Sequence, residues 1–557
     1  MKFNSLKKVT GLVFASGLMI SCASGPKIDA TPLTNDFSDV KKSSLSEDAR
    51  KSWAHMDLVK DTVPGMSTQR AYDELIKDYE GKEVIVAIVD SGIDIEHEDL
   101  KDVVWVNPKE VANNNVDDDN NGYVDDVHGW NFLGDIIEEN LEMTRIVRDY
   151  QGQFEGKTLA DVSAEDKEKF VMYKAAKAEL DKEMQETQAN LGYYNSLIKQ
   201  LTTAQKNLTD SLKGEDLTLE NLKNMQSDDE KINQQKMFLM NIMSNVGEDL
   251  EKAKKQLQGG IDYYGNRVDS HFNIDLNARA EKLGDDENDF TVSVYGNNQV
   301  AGPDPKKEDA KHGTHVAGIV AAKRNNDIGM DGVAEKVRIM AVRAVPDGDE
   351  YDKDIAIGIR YAVDNGAKVI NTSFGKYHSP HPDKVNEAIA YAAKHDVLIV
   401  NAAGNEGIDL DEKRVYPNDQ WPENENEIVS NFINVGSITP SYGKNLVSGF
   451  SNYGRKSVDV FSPGSAIYAT TPLDKYEFLQ GTSMASPNVA GVAAVLRSLF
   501  PKLSAEQVKD AIVNSGLTTD MEVIVGGDAE DMRPFNTLSK SGKMVNLYNA
   551  IIYASKL

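Results

Sequence analysis

The chain has 557 residues, 40% of them hydrophobic, and 89 Asp and Glu against 61 Lys and Arg leave a net charge of −28. That length supports one large core or several smaller ones, and the acidic balance excludes nucleic acid and anionic bilayer surfaces as charge-driven partners, because phosphates select a basic face. A single cysteine, Cys22, excludes an internal disulfide.

In chain order, Lys2, Lys7 and Lys8 flank the start of an apolar run at 9–20. The run is shorter than the roughly 20 residues a spanning helix needs, so 1–21 reads as a signal peptide. LMISC, residues 18–22, resembles the lipobox of bacterial lipoproteins, with Cys22 at the lipidated position. The resemblance implies a lipid anchor in the bacterial cell envelope, outside the cytoplasm, with the outer membrane favoured over the inner. Residues 22–52 are polar and read as a tether, and from Trp53 the composition becomes globular. The β-branched run KEVIVAIVD, 82–90, reads as a strand buried on both faces of a parallel sheet. Further strands are expected at 337–345, 368–372, 397–401 and 432–435. They alternate with helix-length segments at 353–365, 383–394, 483–499 and 504–515, which argues for an α/β fold. Ser504 and Gln507 form a capping box for the last helix.

Two segments interrupt that alternation. Asp117, Asp119, Asn121 and Asp125 stand at positions 1, 3, 5 and 9 of a Ca²⁺ loop, with Gly122 at 6 and the Tyr123 carbonyl at 7. Position 12 is His128 rather than a bidentate Glu, and Asp126 is the candidate to close the shell. Residues 141–260 then form a helical insertion that splits the globular domain into 53–140 and 261–557. Tyr173, Leu180, Met184, Leu191, Tyr194, Ile198, Leu201, Leu208 and Leu212 trace one stripe of a long helix starting near Ser163. Ile232, Leu239, Ile242, Val246, Leu250 and Leu257 trace a second. The expectation is a helical hairpin whose stripe is the seam between its arms, with a protein partner of the insertion as the alternative.

A serine nucleophile needs a base, an acid that orients the base, and donors for the oxyanion. Asp90 ends the buried strand, where α/β sheets place their sites. His312 opens KHGTHVAGIVAA. Ser483, in GTSMASP, precedes a helix whose N-terminal end supplies a backbone N–H and partial positive charge. Asn405, in NAAGNEG, offers a side-chain amide as second oxyanion donor. The two histidines of HGTH lack a third ligand of metal-site spacing, which argues against zinc.

VAIVDSGID, HGTHVAGIVAA, VINTSFG, NAAGNEG and GTSMASPNVAGVAA resemble, in order, the signature stretches of subtilisin-like serine proteases. The resemblance implies a three-layer α/β/α fold with a mostly parallel sheet, here carrying an inserted helical hairpin. It implies endopeptidase activity on proteins and peptides, with no cofactor needed for the chemistry. Asp90, His312 and Ser483 match the triad and Asn405 the oxyanion donor. Ser373, Phe374 and Gly375 match the strand that pairs with substrate backbone, and Ala402, Ala403 and Gly404 a wall of the pocket for the residue before the scissile bond. Structural Ca²⁺ is common in the family. Departures are the long stretch between Asp90 and His312, Asn488 where the family has histidine, and too few residues between Cys22 and Trp53 for a domain-sized propeptide. A silent lipid-anchored adaptor is the rival reading, and intact triad and oxyanion motifs speak against it. A narrow processing protease is a second.

Overall fold

A computed structural model describes residues 25–34, 45–247, 249–420 and 426–557; the expected signal peptide 1–21 and Cys22 lie outside them. The β-branched run forms strand β1 (Val84–Asp90), and its side chains alternate between two cores. Val84, Val86 and Ile88 enter one, Ala87 and Val89 the other. This is why the strand has no polar residue before Asp90: both faces are covered.

Beside it lie β2 (Gly129–Asn131), β3 (Val337–Arg343), β4 (Val369–Thr372), β5 (Leu398–Ala402), β6 (Phe432–Ile438) and β7 (Val460–Pro463). With two short strands towards one edge, Leu517–Thr518 and Lys543–Met544, they make a nine-stranded sheet among the described residues. Its order is 517–518, 543–544, β7, β6, β5, β4, β1, β3, β2. Every neighbouring pair is parallel except the outermost two-residue pair. Helices Asp352–Asp364 and Pro382–Lys394 cover one face through Ile355, Ile359 and Ile389. Helices Lys311–Ala321, Thr482–Leu499 and Ala505–Ser515 cover the other through Val316, Val489, Val492 and Ile512. The result is a subtilisin-like three-layer α/β/α arrangement. Ser504 Oγ accepts from the Gln507 N–H at 3.2 Å and Gln507 Oε1 from the Ser504 N–H at 2.9 Å, which starts the helix Ala505–Ser515.

Residues 25–34 are packed onto this domain. A Cβ on Gly25 would lie 2.3 Å from the Phe500 ring, and Leu33 exchanges two hydrogen bonds with the Asn549 side chain, at 2.7 and 3.1 Å.

The insertion is more than a hairpin. A separate helix, Glu142–Phe154, comes first, followed by the long helix Lys167–Ser211. The return arm is broken at Gly247, φ +88°, into Glu230–Val246 and Leu250–Asn266. Helical backbone continues through Arg267–His271, so the expected limit at 260 falls inside a helix. The long helix joins two distinct cores. Near its start Phe170, Tyr173, Ala176 and Leu180 pack with Met143, Ile146 and Phe154. Near its end Leu201, Ala204 and Leu208 pack with Leu222, Leu239, Met243 and Leu250. Between them Met184, Leu191, Tyr194 and Ile198 are only half-buried.

Candidate active site

The parallel strands β1, β4 and β5 end side by side, so the segments leaving their carboxyl ends share one rim. Asp90 is the last residue of β1. Its Oδ1 accepts from the Ser91 N–H at 2.8 Å and lies 2.7 Å from His312 Nδ1. His312 is in the first turn of Lys311–Ala321, which approaches β1 closely because the next residue is Gly313. A Cβ there would meet the Gly92 carbonyl at 2.2 Å. With Nδ1 donating to a carboxylate, the network leaves Nε2 as the basic nitrogen. Burial lowers the pKa of His312, but the Asp90 charge and hydrogen bond outweigh it and hold the pKa above the ordinary value.

Ser483 is the second residue of Thr482–Leu499. Pro487 sits inside this helix and has no N–H to give the carbonyl four residues back, which is that of Ser483. Ser373 Oγ takes that place, donating to the Ser483 carbonyl at 2.9 Å, and is itself held by Asn371 Nδ2 at 2.8 Å. In return Ser483 Oγ donates to the Ser373 carbonyl at 3.1 Å. The nucleophile candidate is therefore bonded to the segment after β4 rather than to His312; such bonds often form only with substrate bound.

Asn405 lies in the exposed loop after β5. Its Oδ1 accepts from Thr482 N–H at 2.8 Å and Thr482 Oγ1 at 3.1 Å, which fixes the amide and leaves Nδ2 as a donor. A methyl on Gly481, φ +154°, would stand 3.5 Å from both Asn405 Nδ2 and Ser483 N. The two donors thus converge on space that glycine keeps open.

Ser373, Phe374 and Gly375 follow β4. The Phe374 ring is nine-tenths buried among Ile355, Val385 and Ile389, so little of it is offered to a ligand and the segment presents mainly backbone. Ala402 and Ala403 are buried, and Gly404, φ +101°, leaves room for Asn452 Nδ2, which a Cβ would meet at 2.4 Å. Asn488 is buried and donates to the carbonyls of Pro463 (3.0 Å) and Met484 (3.2 Å), a packing role away from the chemistry.

The acidic loop departs from the expected ligand set. Asp117 and Asp119 do come together, but their third partner is Glu110, whose carboxylate lies with theirs within 4.8 Å. Asp125 turns away, because its carboxylate accepts from the Asn114 and Asn115 N–H groups at 3.2 and 2.9 Å. Asp126 does not close the shell either. It is buried, accepting from Tyr361 OH at 2.6 Å, Asn107 Nδ2 at 3.0 Å and Asn121 Nδ2 at 3.1 Å. Asn121 Oδ1 accepts from the Tyr123 N–H at 2.7 Å, and the Tyr123 hydroxyl donates to the Ser293 carbonyl at 3.0 Å. Glu110 Oε2 is buried with no hydrogen-bond partner. Three hard oxygen donors with one left unsatisfied fit a cation such as Ca²⁺.

The subtilase family pattern matches residues 81–533, and the chain belongs to that family. It is 37% identical over 249 residues to a thermophilic serine proteinase of Bacillus sp. (strain AK1), covering 43% of this chain and 52% of the relative. It is 42% identical over 205 residues to thermitase of Thermoactinomyces vulgaris, covering 37% and 66%. With subtilisin DY of Bacillus licheniformis it shares 35% identity over 220 residues, covering 39% and 75%. The chain thus spans less than two thirds of the first two relatives.

Proposed function

We propose that the chain is a serine endopeptidase acting on proteins and peptides. The observation that carries this reading is the 2.7 Å Asp90–His312 pair, set with Ser483 and Asn405 on the rim formed by β1, β4, β5 and two helix N-termini. In the reaction, Ser483 Oγ leaves the Ser373 carbonyl and attacks the scissile carbonyl carbon as its proton passes to His312 Nε2. Asp90 keeps the imidazole in the required tautomer and stabilises the imidazolium. Asn405 Nδ2 and the Ser483 N–H receive the negative oxygen of the tetrahedral intermediate. His312 then protonates the leaving amine, and water repeats the sequence on the acyl-enzyme. The backbone of Ser373–Gly375 holds the extended substrate by strand addition, and Ala402–Gly404 lines the pocket beside it.

Two further parts belong to the same reading. Glu110, Asp117 and Asp119, with Asn121 and the Tyr123 carbonyl close by in sequence, hold a structural Ca²⁺ that ties down the acidic loop and takes no part in the chemistry. Lipidated Cys22 anchors the chain to the bacterial outer membrane, outside the cytoplasm. Among the described residues no helix is long and apolar enough to cross a membrane.

Labelling of residues 23–557 with a fluorophosphonate probe tests the peptidase reading. Wild type is expected to label, and Ser483→Ala and His312→Ala are not. Absence of labelling in wild type would overturn it.

A further inference from the structure

A fully buried group of charges lies between the insertion and the segment after β4. Lys376 directly follows Gly375 and is 3% exposed. Its Nζ is 2.7 Å from Glu142 and 2.9 Å from Asp352, and donates to the Glu350 carbonyl at 2.8 Å. Glu142 is the first residue of the insertion's helix Glu142–Phe154. Arg145, less than one turn on and 1% exposed, pairs with Glu142. It also donates to the carbonyls of Asn140 (3.1 Å), Asp349 (2.8 Å) and Glu350 (3.1 Å). Its guanidinium lies 4.0 Å from the centre of the Tyr351 ring. Burial acts to raise the pKa of Glu142, yet the two cations hold it well below the ordinary carboxylate value, so the group is ionised.

Segment 376–378 has further ties. The Lys376 backbone exchanges two 2.9 Å hydrogen bonds with Tyr416. Tyr377 OH donates to Glu406, which also accepts the Asn405 N–H at 2.9 Å. Glu179, on the long helix, reaches His378 Nε2 at 2.8 Å. The segment is therefore held by the insertion on one side and by the Asn405 loop on the other. A buried ion pair adds little net stability compared with apolar packing, but it does penalise any arrangement that separates the charges. Here such a separation would accompany any shift of the insertion relative to the strand three residues from Ser373.

We propose that Glu142, Arg145 and Lys376 are positioning residues through which the helical insertion holds Ser373–Gly375 in register for an extended peptide. The proposal rests on the peptidase reading. It makes the insertion part of substrate binding at its root, with the far end free of that task.

The test uses residues 23–557 as wild type, Glu142→Gln, and the double variant Glu142→Gln/Lys376→Met. The double variant removes one charge of each sign with near-isosteric side chains, so the core keeps its volume and its charge balance. Two readouts are compared: cleavage of a chromogenic peptide with four residues before the scissile bond, and the labelling rate with a small fluorophosphonate. The probe needs Ser483 and His312 but not the paired strand. We expect kcat/KM on the peptide to fall at least tenfold in both variants, chiefly through KM, with labelling rates within threefold of wild type. Unchanged peptide cleavage would overturn the proposal. So would a parallel loss of cleavage and labelling in both variants, which marks general damage. Wild type that neither labels nor cleaves would instead remove the peptidase reading beneath it.

Discussion

At His312 two effects oppose each other: burial disfavours the imidazolium, and Asp90 favours it more. The reaction needs neutral His312, so kcat/KM should rise with pH through a pKa above 6.5, the ordinary value. Asp90→Asn removes the charge and the tautomer control. It should move that acid limb to lower pH and cut kcat by about 10⁴, read from pH–rate profiles of both enzymes. Asn405→Ala deletes one oxyanion donor and should cost about 10²–10³ in kcat while leaving KM nearly unchanged. Three residues along, His315 has the opposite sign. It is fully buried, its Nε2 is 3.1 Å from the Glu477 carbonyl, and burial holds its pKa down to about 3. A depressed folded-state pKa means stability present above the unfolded value of 6.5 and lost as pH falls towards 3. The loss is about 1.4 kcal/mol per pH unit. His315→Gln, which keeps an N–H for that carbonyl, should flatten the pH dependence of denaturant unfolding by about that slope. The four residues of the proposed machinery were legible from sequence because each stands in a motif of small neighbours that chemistry demands. The Ser483–Ser373 exchange was not, because it follows from Pro487 removing one helix bond and from the start of that helix meeting the segment after β4.

Among elements, the first turn of Lys311–Ala321 depends on one glycine. Gly313→Ala would drive a methyl into the Gly92 carbonyl and push His312 away from Asp90. The expected result is an activity loss larger than the stability loss, checked by comparing kcat/KM with the melting temperature. The insertion's outer core behaves differently. Leu208→Ala empties a site where the side chain is fully buried, at a cost of about 2–5 kcal/mol. Hydrogen exchange should accelerate in 201–253 while peptide cleavage stays near the wild-type rate. Helical periodicity reveals the arms of the insertion, since Leu201 and Leu208 recur at helical spacing on one arm and Ile232, Leu239 and Ile242 on the other. It cannot reveal the break at Gly247, where one left-handed residue ends the arm. Nor can it place Glu142, which starts a short helix whose partner Lys376 is 234 residues away.

For the molecule as a whole, the excess of acid has a local consequence where carboxylates come together. Glu110, Asp117 and Asp119 repel one another; the exposed Lys109 ammonium lies 3.8 Å from Asp119, and a bound cation would join all three carboxylates. A bound ion stabilises by about 1.4 kcal/mol for each tenfold excess over its Kd, worth about 1–2 °C per kcal/mol in a domain of about 400 residues. Chelator should therefore lower the melting temperature by several degrees, Ca²⁺ should restore it, and Glu110→Gln should abolish the difference. An identical melt with and without chelator would rule the ion out. Glu110 escaped the sequence reading because it precedes the loop pattern by seven residues and reaches it only through the fold.

The packing of Gly25 against Phe500 carries a consequence for where such an enzyme works. Phe500 caps one end of the 18-residue helix Thr482–Leu499, and Ser483 stands at the other, about 27 Å away along the axis. Cys22 is three residues before Gly25, a reach of about 10 Å of chain. A lipid at Cys22, as proposed, would therefore make the serine helix a standoff rod, with the bilayer towards its base and the proposed cutting edge at its far tip. With the proposed lipid in place, the proposed active site would face away from the bilayer, towards soluble or protruding chains rather than loops lying flat on the membrane.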